Sequence, residues 1–176
     1  NSFRFLGDLL VAKNILSPDQ ISLISQEHAL TGRGFVKLIL DYDLVDQQIL
    51  KNLWSEFYGF ESLEHTAEHL NLKDFTPEIL GQLKELSLQE LWTTPLAFDP
   101  QSNTLHMAQV DCQDIKTQDL LRQIFKGANL RIYAATVDQI FESLRQLFPK
   151  DQTLDSFLWK LSKLDLEKNP TWAMEC

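Results

Sequence analysis

Arg4-Phe5-Leu6-Gly7-Asp8-Leu9-Leu10-Val11-Ala12-Lys13-Asn14-Ile15-Leu16 is answered 29 residues later by Arg33-Gly34-Phe35-Val36-Lys37-Leu38-Ile39-Leu40-Asp41-Tyr42-Asp43-Leu44-Val45. Leu10-Val11 recurs as Ile39-Leu40, Asn14-Ile15-Leu16 as Asp43-Leu44-Val45, and, past the quoted stretch, Ile21 and Ile24 recur as Leu50 and Leu53. Each of these apolar slots is matched, which is the signature of a duplicated supersecondary unit. Each copy reads as a short helix, a tight turn and a second helix.

The turn residues agree with that reading. The first helix of copy one is predicted over Leu6 to Lys13, stopping at Asn14, and Asn tolerates the left-handed conformation that closes a helix. Asp43 occupies the same slot in copy two. Ser17-Pro18-Asp19-Gln20 opens the second helix with a cap, a proline at the first helical position and a glutamine placed to reach back to the cap amide. Asp46 takes the cap in copy two. Losing a good cap costs about 1 kcal/mol, whereas each fully buried aliphatic of the stripe Leu6, Leu9, Leu10, Ile21 and Ile24 contributes roughly 1.5–3 kcal/mol. Burial, not capping, therefore has to hold the two hairpins together.

Composition narrows the function. With 176 residues and 44% hydrophobic content the chain can bury a real core in one domain or two small subdomains. Sixteen basic against 25 acidic residues give a net charge of −9, which argues against nucleic acid as a partner, because phosphate-backbone binding depends on Lys and Arg releasing counterions. Two cysteines, Cys112 and Cys176, do not make a disulfide framework, so a reducing cytoplasm is the expected setting. No apolar run reaches the ~18 residues of a membrane span. The missing initiator Met and the end at Cys176 predict a piece of a longer chain.

Past the repeat, the pattern predicts an α+β fold, with the duplicated helix-turn-helix subdomain (1–72) followed by a small β-β-α-β-α subdomain (73–150), then a helix and linker (151–176). Tyr58 to Leu72 is a mixed stretch, and Thr76-Pro77-Glu78 opens a helix through about Leu83. Thr94 to Phe98 and Thr104 to Val110 read as a hairpin around Asp99-Pro100-Gln101-Ser102-Asn103. Asp114 to Lys126 is an amphipathic helix stopped by Gly127, Leu130 to Ala134 is a third strand, and Val137 to Phe148 closes as a helix. The 151–176 stretch carries an apolar stripe of Leu154, Phe157, Leu158 and Leu161.

Over about residues 4 to 148 the chain resembles the N-terminal domain of the type II secretion and type IV pilus assembly ATPases, a domain also named for the MshE pilus ATPase. That family's motif runs Arg-Leu-Gly, two aliphatic pairs separated by a Gly, and a Leu-rich helix ending in Gln. Copy one keeps Leu6-Gly7, Leu10-Val11 and Ile15-Leu16, but has Phe5 at the Arg position, Asn14 at the Gly position and His28 at the Gln position. Copy two keeps Ile39-Leu40 and Leu44-Val45, but has Gly34-Phe35-Val36, Asp43 and Phe57 at the signature positions.

The resemblance implies two roles. Some members bind cyclic di-GMP across the doubled motif, and the matching candidates are Arg4, Leu6, Gly7, Leu10, Val11 and Arg33. Both arginines lie one position early, a rotation of about 100° at a helix start, and their bland reading is solvated side chains. Other members dock on the cytoplasmic domain of an inner-membrane platform protein, which places the chain in the cytoplasm, peripheral to that membrane. The same module also occurs on membrane glycosyltransferases. Trp54, Phe57, Tyr58 and Phe60 form an aromatic cluster whose expected role is core packing, with a partner face as the sharper alternative.

Other motifs carry less. His65-Thr66-Ala67-Glu68-His69 matches the inverted zinc-protease pattern H-x-x-E-H but has no third-ligand helix, so a polar turn is expected and no metal. Neither Asp41-Tyr42-Asp43 nor Asp151 to Asp155 has calcium-loop spacing. Cys112 has no companion His and acid and is expected to be a small core or surface residue. No G-x-x-x-x-G-K-[ST] loop occurs, so no catalytic residues are expected in this chain, and ATP and Mg are expected only in a part of the parent protein beyond it.

Overall fold

Two helical hairpins lie at the start of the chain, and residues 5–154 are the part described by the structure, a computed structural model. Leu6–Ala12 (α1) and Pro18–Thr31 (α2) form the first hairpin, and Phe35–Asp41 (α3) and Gln47–Tyr58 (α4) the second. The turns behave as the sequence predicts: Asn14 and Asp43 both sit in the left-handed region, at φ 58° and 56°, where a short polar side chain bears the conformation better than a branched one. Ser17 and Gln20 form the reciprocal capping box, and the Asp46 carboxylate accepts from the amides of Gln48 and Ile49.

The repeat pairing predicts which side chains go inside. Leu6, Leu10, Ile24, Ile39, Leu50 and Leu53 are buried, and Ile21 and Phe35 are half-buried against the same core. Contacts between the copies are reciprocal to within a residue. The Lys13 ammonium of copy one lies 4.4 Å from the centre of the Phe57 ring of copy two. The Tyr42 hydroxyl of copy two, which the repeat equates with Lys13, donates to Glu27 of copy one at 2.6 Å. Such exchange of partners is what a pseudo-two-fold pair of hairpins gives.

The second half contains Glu61–Ser62 (β1), Thr66–His69 (α5), Pro77–Glu85 (α6), Thr93–Asp99 (β2), Thr104–Gln109 (β3), Ile115–Ile124 (α7), Asn129–Ala134 (β4) and Val137–Leu147 (α8), with a 3-10 turn at Gln152–Leu154. β2 and β3 make the predicted hairpin, with a register shift between Pro95 and Ala97, and β4 pairs parallel to β3. The order β-β-α-β-α holds, but the sheet has four strands where the sequence predicts three. β1 adds to the edge in the order β1-β4-β3-β2, pairing Glu61 with Tyr133 and Ser62 with Ala134. Two residues are too few to show a strand period, and Glu61 is further tied to the sheet by a 2.9 Å ion pair with Arg131.

α4 locks the two halves together. The Trp54 indole N–H donates to the Val110 carbonyl at 2.7 Å, and the buried Lys51 ammonium donates to the Leu63 carbonyl. Desolvation holds the Lys51 ammonium below the usual lysine range. At the head of α8 the Gln47 side chain accepts from the Val137 amide at 2.7 Å and donates to Asp138 at 3.0 Å. Within residues 5–154 no helix is long and apolar enough to cross a membrane.

Candidate functional site

The candidate nucleotide residues are mostly spent on the fold. Leu6, Gly7 and Leu10 are buried, and Val11 is half-buried. Arg4 lies outside the described residues. Phe5, at the position of the family's Arg, folds its ring over Gly7: a methyl group built on Gly7 would meet that ring at 2.3 Å. The same ring packs against Phe35 across the two copies, 5.1 Å between centroids. The backbone of Gly7, the one signature glycine the repeat retains, is thus covered by the Phe5 ring.

Arg33 is not a free cation. Its guanidinium is ion-paired with Asp41 at the far end of α3, and its carbonyl oxygen lies 2.6 Å from His28 Nδ1. Sequence spacing does not announce that partner, because residues eight apart on a helix are two turns away. Beside Arg33 opens a cavity of about 220 Å³, lined by Gly34, Lys37, Glu90, Trp92, Asp111 and Asp114 among others. Lys37 is its one cation, poised 5.1 Å over the Trp92 ring, and burial lowers its pKa. Three carboxylates around one ammonium repel a phosphate, and the volume falls below the ~300 Å³ at which ligand pockets begin. This is not a seat for a cyclic dinucleotide.

Asp111 pays for its place in that wall. Desolvation, with the neighbouring Asp114 charge adding to it, pushes its carboxyl up to about 6 against the bond from the Gln113 amide. Between the ordinary carboxylate value and 6 the folded protein binds a proton that the unfolded chain has lost, so stability falls as pH rises through that window. Asp111→Asn keeps an acceptor for Gln113 and removes the charge. It should stabilise the protein by about 1–3 kcal/mol at pH 7.5 and by little at pH 4, read from thermal unfolding at both values.

The aromatic cluster divides in two. Trp54 is fully buried, with Tyr58 at 4.9 Å and Phe60 at 6.2 Å between ring centroids. As a candidate partner residue Trp54 is corrected: it joins α4 to the sheet and presents no surface. Phe57, Tyr58 and Phe60 are half-buried against the core. Cys112 is buried, its thiol pushed up by desolvation. In the H-x-x-E-H stretch His65 is exposed just before the one-turn helix α5, and His69, its last residue, lies tilted against Tyr133 with 4.7 Å between ring centroids. Among the described residues no cluster of three His, Cys, Asp or Glu is placed to hold a metal.

The surface residues that the motifs did not point to are on α2. Leu23 is 65% and Leu30 86% exposed, with Glu27 between them. The signal was present in the repeat: copy two has Asn52 and Gly59 at the equivalent positions, both exposed.

The duplicated helical hairpin joined to a small four-stranded α+β unit has counterparts in one domain family and among solved structures. Residues 68–154 match the MshEN domain family. The match begins beyond both copies of the repeat, in line with the altered signature positions there. Among solved structures, that of MshE with cyclic di-GMP is similar at 18% identity and a TM-score of 0.60, covering 83% of this chain and 100% of that one. The N-terminal domain of XpsE is similar at 18% identity and a TM-score of 0.52, covering 80% of this chain and 92% of that one. No curated protein matches.

Proposed function

We propose that this chain is a non-enzymatic docking and regulatory domain of a type II secretion or type IV pilus assembly ATPase. It recruits that motor to the cytoplasmic domain of an inner-membrane platform protein, and so works at the cytoplasmic face of that membrane, with ATP and Mg handled by another part of the parent protein. The observation that carries the reading is that the doubled motif is closed from within: Phe5 covers Gly7, and Arg33 is held by Asp41. What such a domain offers is surface, and its excess of acidic residues orients and steers a partner more than it adds affinity. Capture of the platform protein's cytoplasmic domain by the 176-residue chain tests this. Binding at ~0.1 M salt that weakens at ~0.5 M is expected; a chain that fails to bind while the full-length ATPase succeeds overturns it.

A second reading, a receptor for cyclic di-GMP, is favoured by one observation, the likeness to the structure of MshE with that nucleotide. In this chain it requires Phe5 to leave Gly7 and Arg33 to give up Asp41.

A further inference from the structure

We infer that the outer face of α2, centred on Leu23 and Leu30, is the docking surface, and that its occupant is an amphipathic helix of the partner whose apolar stripe is flanked by basic side chains. The inference rests on the docking reading above and specifies where and with what chemistry it acts.

Leu23 and Leu30 stand seven residues apart, so they share one stripe of the helix about 10.5 Å apart along its axis. Both are largely in solvent, at 65% and 86% exposure. The duplication supplies an internal control for whether the scaffold needs them. Copy two folds into a similar hairpin with an exposed Asn52 at the position of Leu23, and its second helix already ends at Gly59, the position of Leu30, so the hairpin does not depend on a leucine at position 23. Beside them stands Tyr42, 46% exposed, its hydroxyl held by Glu27 at 2.6 Å. The oriented tyrosine is the kind of side chain enriched among interface anchors, and the two exposed leucines beside it supply apolar area that a partner can cover. A seven-residue repeat of apolar side chains is matched best by another helix, whose own i, i+7 ridge can lie along it.

Charge decides the flanks of that helix. Every lysine and arginine between Phe5 and Phe60 has a partner within the chain, although Lys13 stays exposed. Lys13 lies over Phe57, Arg33 is on Asp41, Lys37 is over Trp92, and Lys51 is on the Leu63 carbonyl. On α2 itself the charged residues beside the leucine stripe are Asp19 and Glu27. The apolar centre is therefore bordered by carboxylates, and an acidic partner would be repelled where a basic one is steered.

The experiment is calorimetric titration of the platform protein's cytoplasmic domain into the full 176-residue chain, its Leu23→Asn/Leu30→Asn variant and its Asp19→Lys/Glu27→Lys variant. Sedimentation of each chain alone is run alongside. The leucine variant replaces two largely exposed side chains, and at position 23 it carries the Asn that copy two has there, so its unfolding midpoint should stay within about 2 °C of the parent chain, and its affinity should fall at least ~30-fold. The charge variant should associate more slowly and lose most of its salt dependence. Wild-type binding that the leucine variant retains overturns the surface while leaving the docking reading in place. Absence of wild-type binding overturns the docking reading and this surface with it. A wild-type dimer abolished by the leucine substitutions makes the occupant a second copy of the chain and overturns the basic-helix assignment.

Discussion

Trp54→Ala should destabilise the protein by about 4–6 kcal/mol, the largest single effect expected anywhere in the described residues. Trp54 is fully buried between α4 and the sheet, and its truncation opens a cavity the size of an indole, worth roughly 3–5 kcal/mol by itself. It also strands the Val110 carbonyl, which accepts from the indole at 2.7 Å, and an orphaned buried acceptor costs a further 1–3 kcal/mol or so. Against a total stability of roughly 5–15 kcal/mol that is a large share. Trp54→Phe retains most of the ring and loses the bond, so it should cost about 2 kcal/mol. Urea unfolding of both variants reads the difference in midpoint. A loss below ~1 kcal/mol for Trp54→Ala would mean that the two halves are not joined through this ring.

Cyclic di-GMP should bind no tighter than ~10 μM. A ligand with two phosphates and two guanines needs cationic or amide donors and open faces for the bases. Here Phe5 replaces the Arg of copy one and lies on Gly7, Val36 fills the Gly position of copy two, and Arg33 is paired with Asp41. Loss of two charge-assisted hydrogen bonds of roughly 1.5–3 kcal/mol each weakens a micromolar site at least a hundredfold. Calorimetry with the purified chain measures it. A submicromolar constant that Arg4→Ala or Arg33→Ala abolishes would show that the one-residue shift is tolerated and would make the receptor reading the better one.

What could be read in advance was whatever is encoded locally. The left-handed Asn14 and Asp43, the Ser17 and Gln20 box, the β2–β3 hairpin around Asp99 to Asn103 and the Gly127 stop all follow from residues within a few positions of each other. The burial pattern of the hairpins followed from the repeat, since two copies of one stripe constrain each other. What was not legible depends on partners distant in sequence or on too few residues to carry a period. β1 is a strand because β4, some 70 residues on, offers it an edge. Trp54 looked interchangeable with Phe57, Tyr58 and Phe60 until Val110 fixed it inside. Arg33 reads as a solvated side chain because Asp41 lies two helical turns beyond it, and Phe5 reads as a substituted Arg without any sign that its ring turns back onto Gly7. The Leu23 and Leu30 face was visible in principle, because aligning the copies places Asn52 and Gly59 opposite two leucines.

The most direct test of the docking account is a titration of the 176-residue chain with the platform protein's cytoplasmic domain at two ionic strengths, with no nucleotide present. The account predicts saturable 1:1 binding in the micromolar range or tighter at ~0.1 M salt, weakened several-fold at ~0.5 M as screening removes the acidic surface's share. No binding at either salt, with the full-length ATPase binding under the same conditions, would contradict it and place the docking surface outside this chain.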